Sequence, residues 1–159
     1  MADNGVNTWF GYYLDNQTKS ALAWTVKYIE NETVIDEKGT DTHDGNTDVI
    51  YNDGHYATQD GPPCVGNNKW YPNGGVIGYT VCWSLSGQAC QQHRIYIDLE
   101  WEYDSAQTAG WDQALMLHES GHGLGLTHSS QISNEVMSPQ IVKIDYYSQH
   151  DKDLINGNY

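Results

Sequence analysis

The sequence predicts an α+β domain: a mixed, twisted sheet, a long histidine-bearing helix, and a small C-terminal part that closes in a further helix. Three observations carry this prediction. Between Thr8 and Tyr51, short strand-like runs surround one amphipathic helical run. Between Gly74 and Trp101 the chain is rich in β-branched and aromatic residues, which favour strands. Trp111 to Leu124 is patterned as a helix, Gly125 ends it, and a loop-rich tail follows that runs into Ser148 to Gly157.

In chain order, Thr8 to Leu14 (TWFGYYL) alternates and predicts a first strand. Asn16 or Thr18 can cap a helix in which Leu22, Val26 and Ile29 recur at i, i+4 and i+7. Thr33 to Glu37 and Asp48 to Tyr51 read as short strands, so the order is β-α-β-β. Gly74 to Trp83 reads as a further strand. It precedes Arg94 to Trp101, where Ile95, Ile97, Leu99 and Trp101 point one way and Tyr96, Asp98 and Glu100 the other. In the next helix, Trp111 and Leu115 continue the face of His118, while Ala114, Leu117, Gly121 and Leu124 form the opposite face. Such a helix is buried on both sides.

The 159 residues fit one domain, 1–159, with an upper part to about residue 125 and a lower part over 126–159. A net charge of -14 argues against nucleic acid and anionic membrane as partners, because both would repel it. An acidic surface fits solubility, calcium binding or basic substrates. No apolar run approaches the roughly 18 residues that span a bilayer. A monomer is expected. Met1-Ala2-Asp3-Asn4-Gly5 reads as an initiator placed before a mature start, with any secretion signal or pro-segment lying outside this sequence. Of the three cysteines, Cys82 and Cys90 enclose a short glycine-containing loop and are the expected pair, which would leave Cys64 free; Cys64 with either of the others is the alternative. Asp41, Asp44, Asn46, Asp48, Asp53 and Asp60 crowd one loop-rich segment that also holds His43 and His55. Clustered oxygens of this kind suit a structural Ca2+ or a plain solvated acidic loop. Asp44-x-Asn46-x-Asp48 begins like an EF-hand but fails at Val49, where glycine is required.

Chemistry concentrates in His118-Glu119-Ser120-Gly121-His122-Gly123-Leu124-Gly125-Leu126-Thr127-His128. His118 and His122, four residues apart, share one helix face and can offer two nitrogens to one metal. Gly125 can take a left-handed conformation, end the helix and turn the chain so that His128 reaches the same metal. Three protein ligands leave a fourth tetrahedral position open, the hallmark of a catalytic zinc. Glu119 is placed to take a proton from water there.

The spacing H-E-x-x-H-x-x-G-x-x-H resembles the metzincin metalloprotease motif, and Val136-Met137-Ser138-Pro139 matches a Met-turn. Ser129, directly after the third histidine, and the tail Ser148 to Gly157 make the chain most similar to the matrixins. The resemblance implies a metzincin-like catalytic domain with a cleft between its two parts. It also implies Zn2+ held by His118, His122 and His128, with Met137 as a packing floor that does not ligate. Pro139 stands two residues after that methionine, where astacin-like relatives place a tyrosine, so no tyrosine oxyanion partner comes from there. The implied activity is endopeptidase cleavage of protein substrates, in which zinc polarises the scissile carbonyl and activates a water, and Glu119 serves as general base. Gly74 to Trp83 corresponds in order to the edge strand above the cleft. Gly78, Tyr79 and Thr80 would thus align a protein or peptide substrate in extended conformation. The loop Gln140 to Tyr147, with Pro139, Ile141, Tyr146 and Tyr147, would wall the S1′ pocket. The Tyr- and Gly-rich composition resembles that of secreted bacterial hydrolases, so an extracellular location is expected. A zinc-binding inactive homologue and a non-proteolytic zinc amidase are the alternatives. An intact Glu119 argues against the first.

Overall fold

The computed structural model describes residues 5–53, 78–87, 89–97, 110–129, 134–140 and 142–159. In order these form β1 (Val6–Tyr12), α1 (Asn16–Glu32), β2 (Asp36–Gly39), β3 (Val49–Asp53), β4 (Gly78–Ser86), β5 (Ala89–Ile97), α2 (Gly110–Gly123) and α3 (Gln149–Asn158). The strands make one sheet in the order β2-β1-β3-β5-β4. β1 runs parallel to β2 and β3, β3 runs parallel to β5, and β4 is antiparallel to β5 at the edge. The α+β class and the mixed sheet are as predicted.

The boundaries shift for local reasons. β1 ends at Tyr12 because Tyr13 takes a positive φ of 53° and turns the chain toward α1. The cap of α1 is Asp15, not Asn16 or Thr18: its carboxylate accepts from the Thr18 backbone N–H at 2.7 Å. At the other end the Thr33 amide and hydroxyl both donate to the Ile29 carbonyl, at 3.0 and 2.8 Å. Thr33 therefore caps the helix, the Val34 amide donates to Asn156 Oδ1, and β2 starts at Asp36 where Thr33 was expected. β5 starts at Ala89, five residues before the expected Arg94, because Gly87 at φ 62° turns a hairpin and Cys82–Cys90 closes it with a disulfide. The expected pairing is thus the one formed. Cys64, His55, Asp60, Gly74 to Ile77, Leu99, Trp101 and Ile141 lie outside the described residues.

Strand parity sorts the core. Val49, Tyr51, Ile95 and Ile97 face Leu22 of α1 and Leu115 of α2, forming one apolar cluster between sheet and helices. A second cluster joins Ile29, Leu117, Leu124, Met137, Tyr147 and Ile155, and ties the C-terminal segment beneath α2. α3 is entered through a capping box: Ser148 Oγ accepts from the Asp151 N–H, and the Asp151 carboxylate accepts from Ser148 N–H. No described helix is long and apolar enough to cross a membrane.

In the acidic loop, carboxylates bond to the chain itself. Asp48 Oδ2 accepts from the Thr8 amide at 2.7 Å and hydroxyl at 2.6 Å, while Asp44 Oδ1 accepts from the Asn46 amide at 2.8 Å. The Asp48 bonds tie the end of the loop to β1.

Glu37 gives the fold a pH dependence. Half-buried on β2, it accepts from Asn7 Nδ2 at 3.0 Å on each carboxylate oxygen, and burial lifts its pKa from 4.5 to about 8. Between those values the folded form holds a proton that the unfolded form has lost. The stability this provides is full below about 4.5 and lost as pH rises toward 8. Glu37→Gln keeps an acceptor for Asn7 and cannot ionise. It should flatten the fall of Tm across this window in melts taken at several pH values, and an unchanged slope would contradict this account.

Candidate active site

α2 is buried almost throughout. Ala114 to Gly121 are all inaccessible or nearly so, which matches a helix apolar on both faces. Burial on this scale requires close approach, and Gly121 supplies it: a Cβ there would stand 2.6 Å from Met137 Sδ and 3.3 Å from a Tyr147 ring carbon. Met137 is itself fully buried, so the Met-turn lies directly under the ligand helix. The Ser129 amide donates to the Met137 carbonyl at 2.9 Å and ties the segment leaving His128 to that turn.

The helix stops where predicted. Gly125 has φ 90°, and the amides of Gly125 and Leu126 donate to the carbonyls of His122 and Gly121. The reversal brings His128 back to the helix face. The three Nε2 atoms of His118, His122 and His128 lie 3.2 Å from one another in every pair. His118 Nδ1 is 2.6 Å from the Val136 carbonyl oxygen and His122 Nδ1 is 2.9 Å from that of Leu126. A carbonyl can only accept, so both rings carry their proton on Nδ1 and turn a bare Nε2 lone pair inward.

Lone pairs converging at this distance repel unless a cation sits among them. A tetrahedral zinc with Zn–N bonds of about 2.0–2.1 Å would hold nitrogens roughly 3.3 Å apart, so the residues fit the ion the sequence implied. Among the described residues, this trio is the group of metal-ligating side chains close enough to hold an ion. Burial readies it. Desolvation lowers the His118 pKa from 6.5 to about 4, against the Val136 bond, which favours the charged ring. It lowers that of His122 as well. These two rings are therefore held neutral, as metal binding requires.

Glu119 lies against β4. It is 5 % exposed, and burial raises its carboxyl from 4.5 to about 7, opposed by a hydrogen bond from Thr80. Thr80 Oγ1 is 2.6 Å from Glu119 Oε2 and 2.9 Å from the Glu119 carbonyl oxygen. Gly78 is equally close: a Cβ there would meet Glu119 Oε1 at 2.5 Å. Of the expected substrate contacts on β4, Tyr79 is exposed on the opposite strand face, while Gly78 and Thr80 face the glutamate. In the loop after the Met-turn, Tyr146 is 54 % exposed and Pro139 is exposed. Tyr147 corrects the sequence reading. It is 2 % exposed and donates its hydroxyl to the Leu117 carbonyl at 2.9 Å, so it supports α2 from below and has no face for a pocket wall.

Two of the site's parts were missed by sequence reasoning. The Val136 and Leu126 carbonyls that orient the imidazoles belong to backbone and carry no signal in residue type. The grip of Thr80 and Gly78 on Glu119 depends on which strand the fold lays beside α2.

An H-E-x-x-H helix completed by a third histidine over a Met-turn, beneath a mixed sheet with an antiparallel edge strand, defines a metzincin-type domain. The family model for matrixins (peptidase M10) matches residues 72–159, and the chain belongs to the matrixin family of zinc metalloproteases. No curated protein matches the chain by sequence. Among solved structures, that of myroilysin is similar, with a TM-score of 0.49 and 15% identity. The match covers 79% of this chain and 50% of that one, so the present chain spans half the length of its neighbour.

If the trio is the metal site, replacing His118, His122 or His128 by Ala should strip zinc, measured as bound metal after gel filtration. A His128→Ala protein that keeps zinc as tightly as the parent would remove that ring from the ligand set.

Proposed function

We propose that the protein is a zinc-dependent endopeptidase that cleaves peptide bonds in extended protein substrates, with Glu119 as general base. The observation that carries this reading is geometric: three histidine Nε2 atoms 3.2 Å from one another, with the Glu119 carboxyl buried beside them on the same helix. A carboxyl placed there can accept a proton from water and return it to a leaving group, as acyl hydrolysis requires of a single group. Zinc, when bound, supplies Lewis-acid polarisation of the scissile carbonyl and lowers the pKa of a water to roughly 7. Glu119 takes the proton from the attacking water and passes it to the departing amine. His118 and His122 hold their positions through carbonyl-anchored protons, and His128 is brought to them by the turn at Gly125.

Substrate alignment falls to β4. Among the described residues it is the one of the sheet's two edge strands that packs beside α2, and its outer backbone can pair with an extended peptide. The loop 140–147 follows the Met-turn, and its exposed Tyr146 makes it the proposed wall of the S1′ pocket. Secretion and a monomeric state belong to the same reading. The Cys82–Cys90 disulfide supports an oxidising compartment.

The test is Glu119→Ala with casein or a peptide library as substrate. All three imidazoles remain, so zinc should stay bound while kcat/KM falls by about 10²- to 10⁴-fold or more. Cleavage at near-parental rate would overturn the mechanism, and an inert parent would overturn the activity.

Tyr146→Ala should change the preferred residue on the leaving side of the cut, read from cleavage-site profiles, with zinc content unchanged. Uniform loss over all substrates together with loss of metal would show the loop to be structural.

A further inference from the structure

The inner face of β4 does something other than align substrate. In an edge strand every second side chain points toward the helices, and here those residues are Gly78 and Thr80. Both converge on one group. Thr80 Oγ1 lies 2.6 Å from Glu119 Oε2, within the range of a charge-assisted O–H···O bond. Gly78 packs its Cα against the other oxygen, with so little room that a Cβ would sit 2.5 Å from Oε1, 2.8 Å from Cγ and 2.9 Å from Cδ. A glutamate has three side-chain torsions, and on a helix beside a cleft it would ordinarily sample several rotamers.

We propose that Gly78 and Thr80 form a clamp that fixes the Glu119 carboxylate, with Thr80 holding Oε2 and the bare Gly78 leaving Oε1 in its place, so that both are positioning residues for proton transfer. The inference rests on Glu119 being the general base. Thr80 also reaches the Glu119 carbonyl oxygen at 2.9 Å, but its hydroxyl has one proton and the carboxylate is the nearer acceptor. The two residues act on different oxygens of the one carboxylate, so two unlike substitutions should have one outcome. Thr80→Val keeps the volume and releases the carboxylate. Gly78→Ala keeps the Thr80 hydroxyl and pushes the carboxylate away from it. The inserted methyl meets only the far part of a flexible side chain, so the strand itself need not move.

The experiment measures kcat and KM on one peptide, bound zinc and Tm for Thr80→Val, Thr80→Ser and Gly78→Ala, and determines the crystal structure of the metal-free Thr80→Val protein. A misplacement near 1 Å costs on the order of 100-fold in rate. Thr80→Val and Gly78→Ala should lower kcat by about 10- to 100-fold with KM within about twofold and zinc retained, and Thr80→Ser should restore most of it. In the metal-free crystals the Glu119 side chain should leave its place in Thr80→Val. The clamp is overturned if KM rises while kcat holds, which would make Thr80 a substrate contact. It is equally overturned if Thr80→Ser is no better than Thr80→Val, or if the carboxylate stays where it is without the hydroxyl. Should the parent cleave no peptide, the proposed activity fails, while the position of Glu119 in the metal-free crystals still decides the clamp.

Discussion

An imidazole can give one nitrogen to a metal only while its proton is held on the other, and this requirement governs how the lower half of the chain is built. For His118 the proton-holder is the Val136 carbonyl and for His122 it is the Leu126 carbonyl. Both belong to segments that would otherwise wander. The first is kept in place by the Met-turn, packed so tightly on α2 that Gly121 has no room for a methyl. The second is kept in place by the left-handed Gly125, which sends the chain back along the helix it has just left. The Ser129 to Met137 hydrogen bond joins the two segments. Tyr147, donating to the Leu117 carbonyl, adds a support from below.

Burial supplies the electrostatics of the same site. An environment poor in water penalises charge of either sign, so it lowers His118 to about 4 and raises Glu119 to about 7. One cause thus prepares a neutral ligand and a carboxyl able to carry a proton, on adjacent residues. α2 has 14 residues, near the length at which an isolated helix is marginal. It is therefore held by packing against the sheet and α1, and not by its own propensity.

Much of this was legible in the sequence because the motif is local. His118, Glu119, His122, Gly125 and His128 fall within one helix and one turn, where spacing translates directly into geometry. The edge position of Gly78 to Thr80 followed only from resemblance, and the fold bears it out. Features set by competition between neighbouring elements were not legible. Thr33 looks like a strand residue, yet its hydroxyl is drawn to the Ile29 carbonyl, and β2 starts late. Asp15, Asn16 and Thr18 can all cap, and only the backbone turn at Tyr13 selects Asp15. Tyr147 follows Tyr146 in sequence, but one is buried and the other exposed, a difference set by what lies beneath α2. Thr80 was placed with the substrate contacts because nothing in a strand pattern tells which side chain meets a glutamate 39 residues away.

The central claim is that three histidine nitrogens, and no other protein group, present themselves to one zinc ion. X-ray absorption at the zinc edge on the loaded protein tests it most directly. The predicted spectrum has a light-atom shell near 2.0–2.1 Å with the outer-shell scattering of three imidazoles and one further oxygen ligand. A sulfur shell near 2.3 Å, or imidazole scattering that fits two or four rings, would contradict the account.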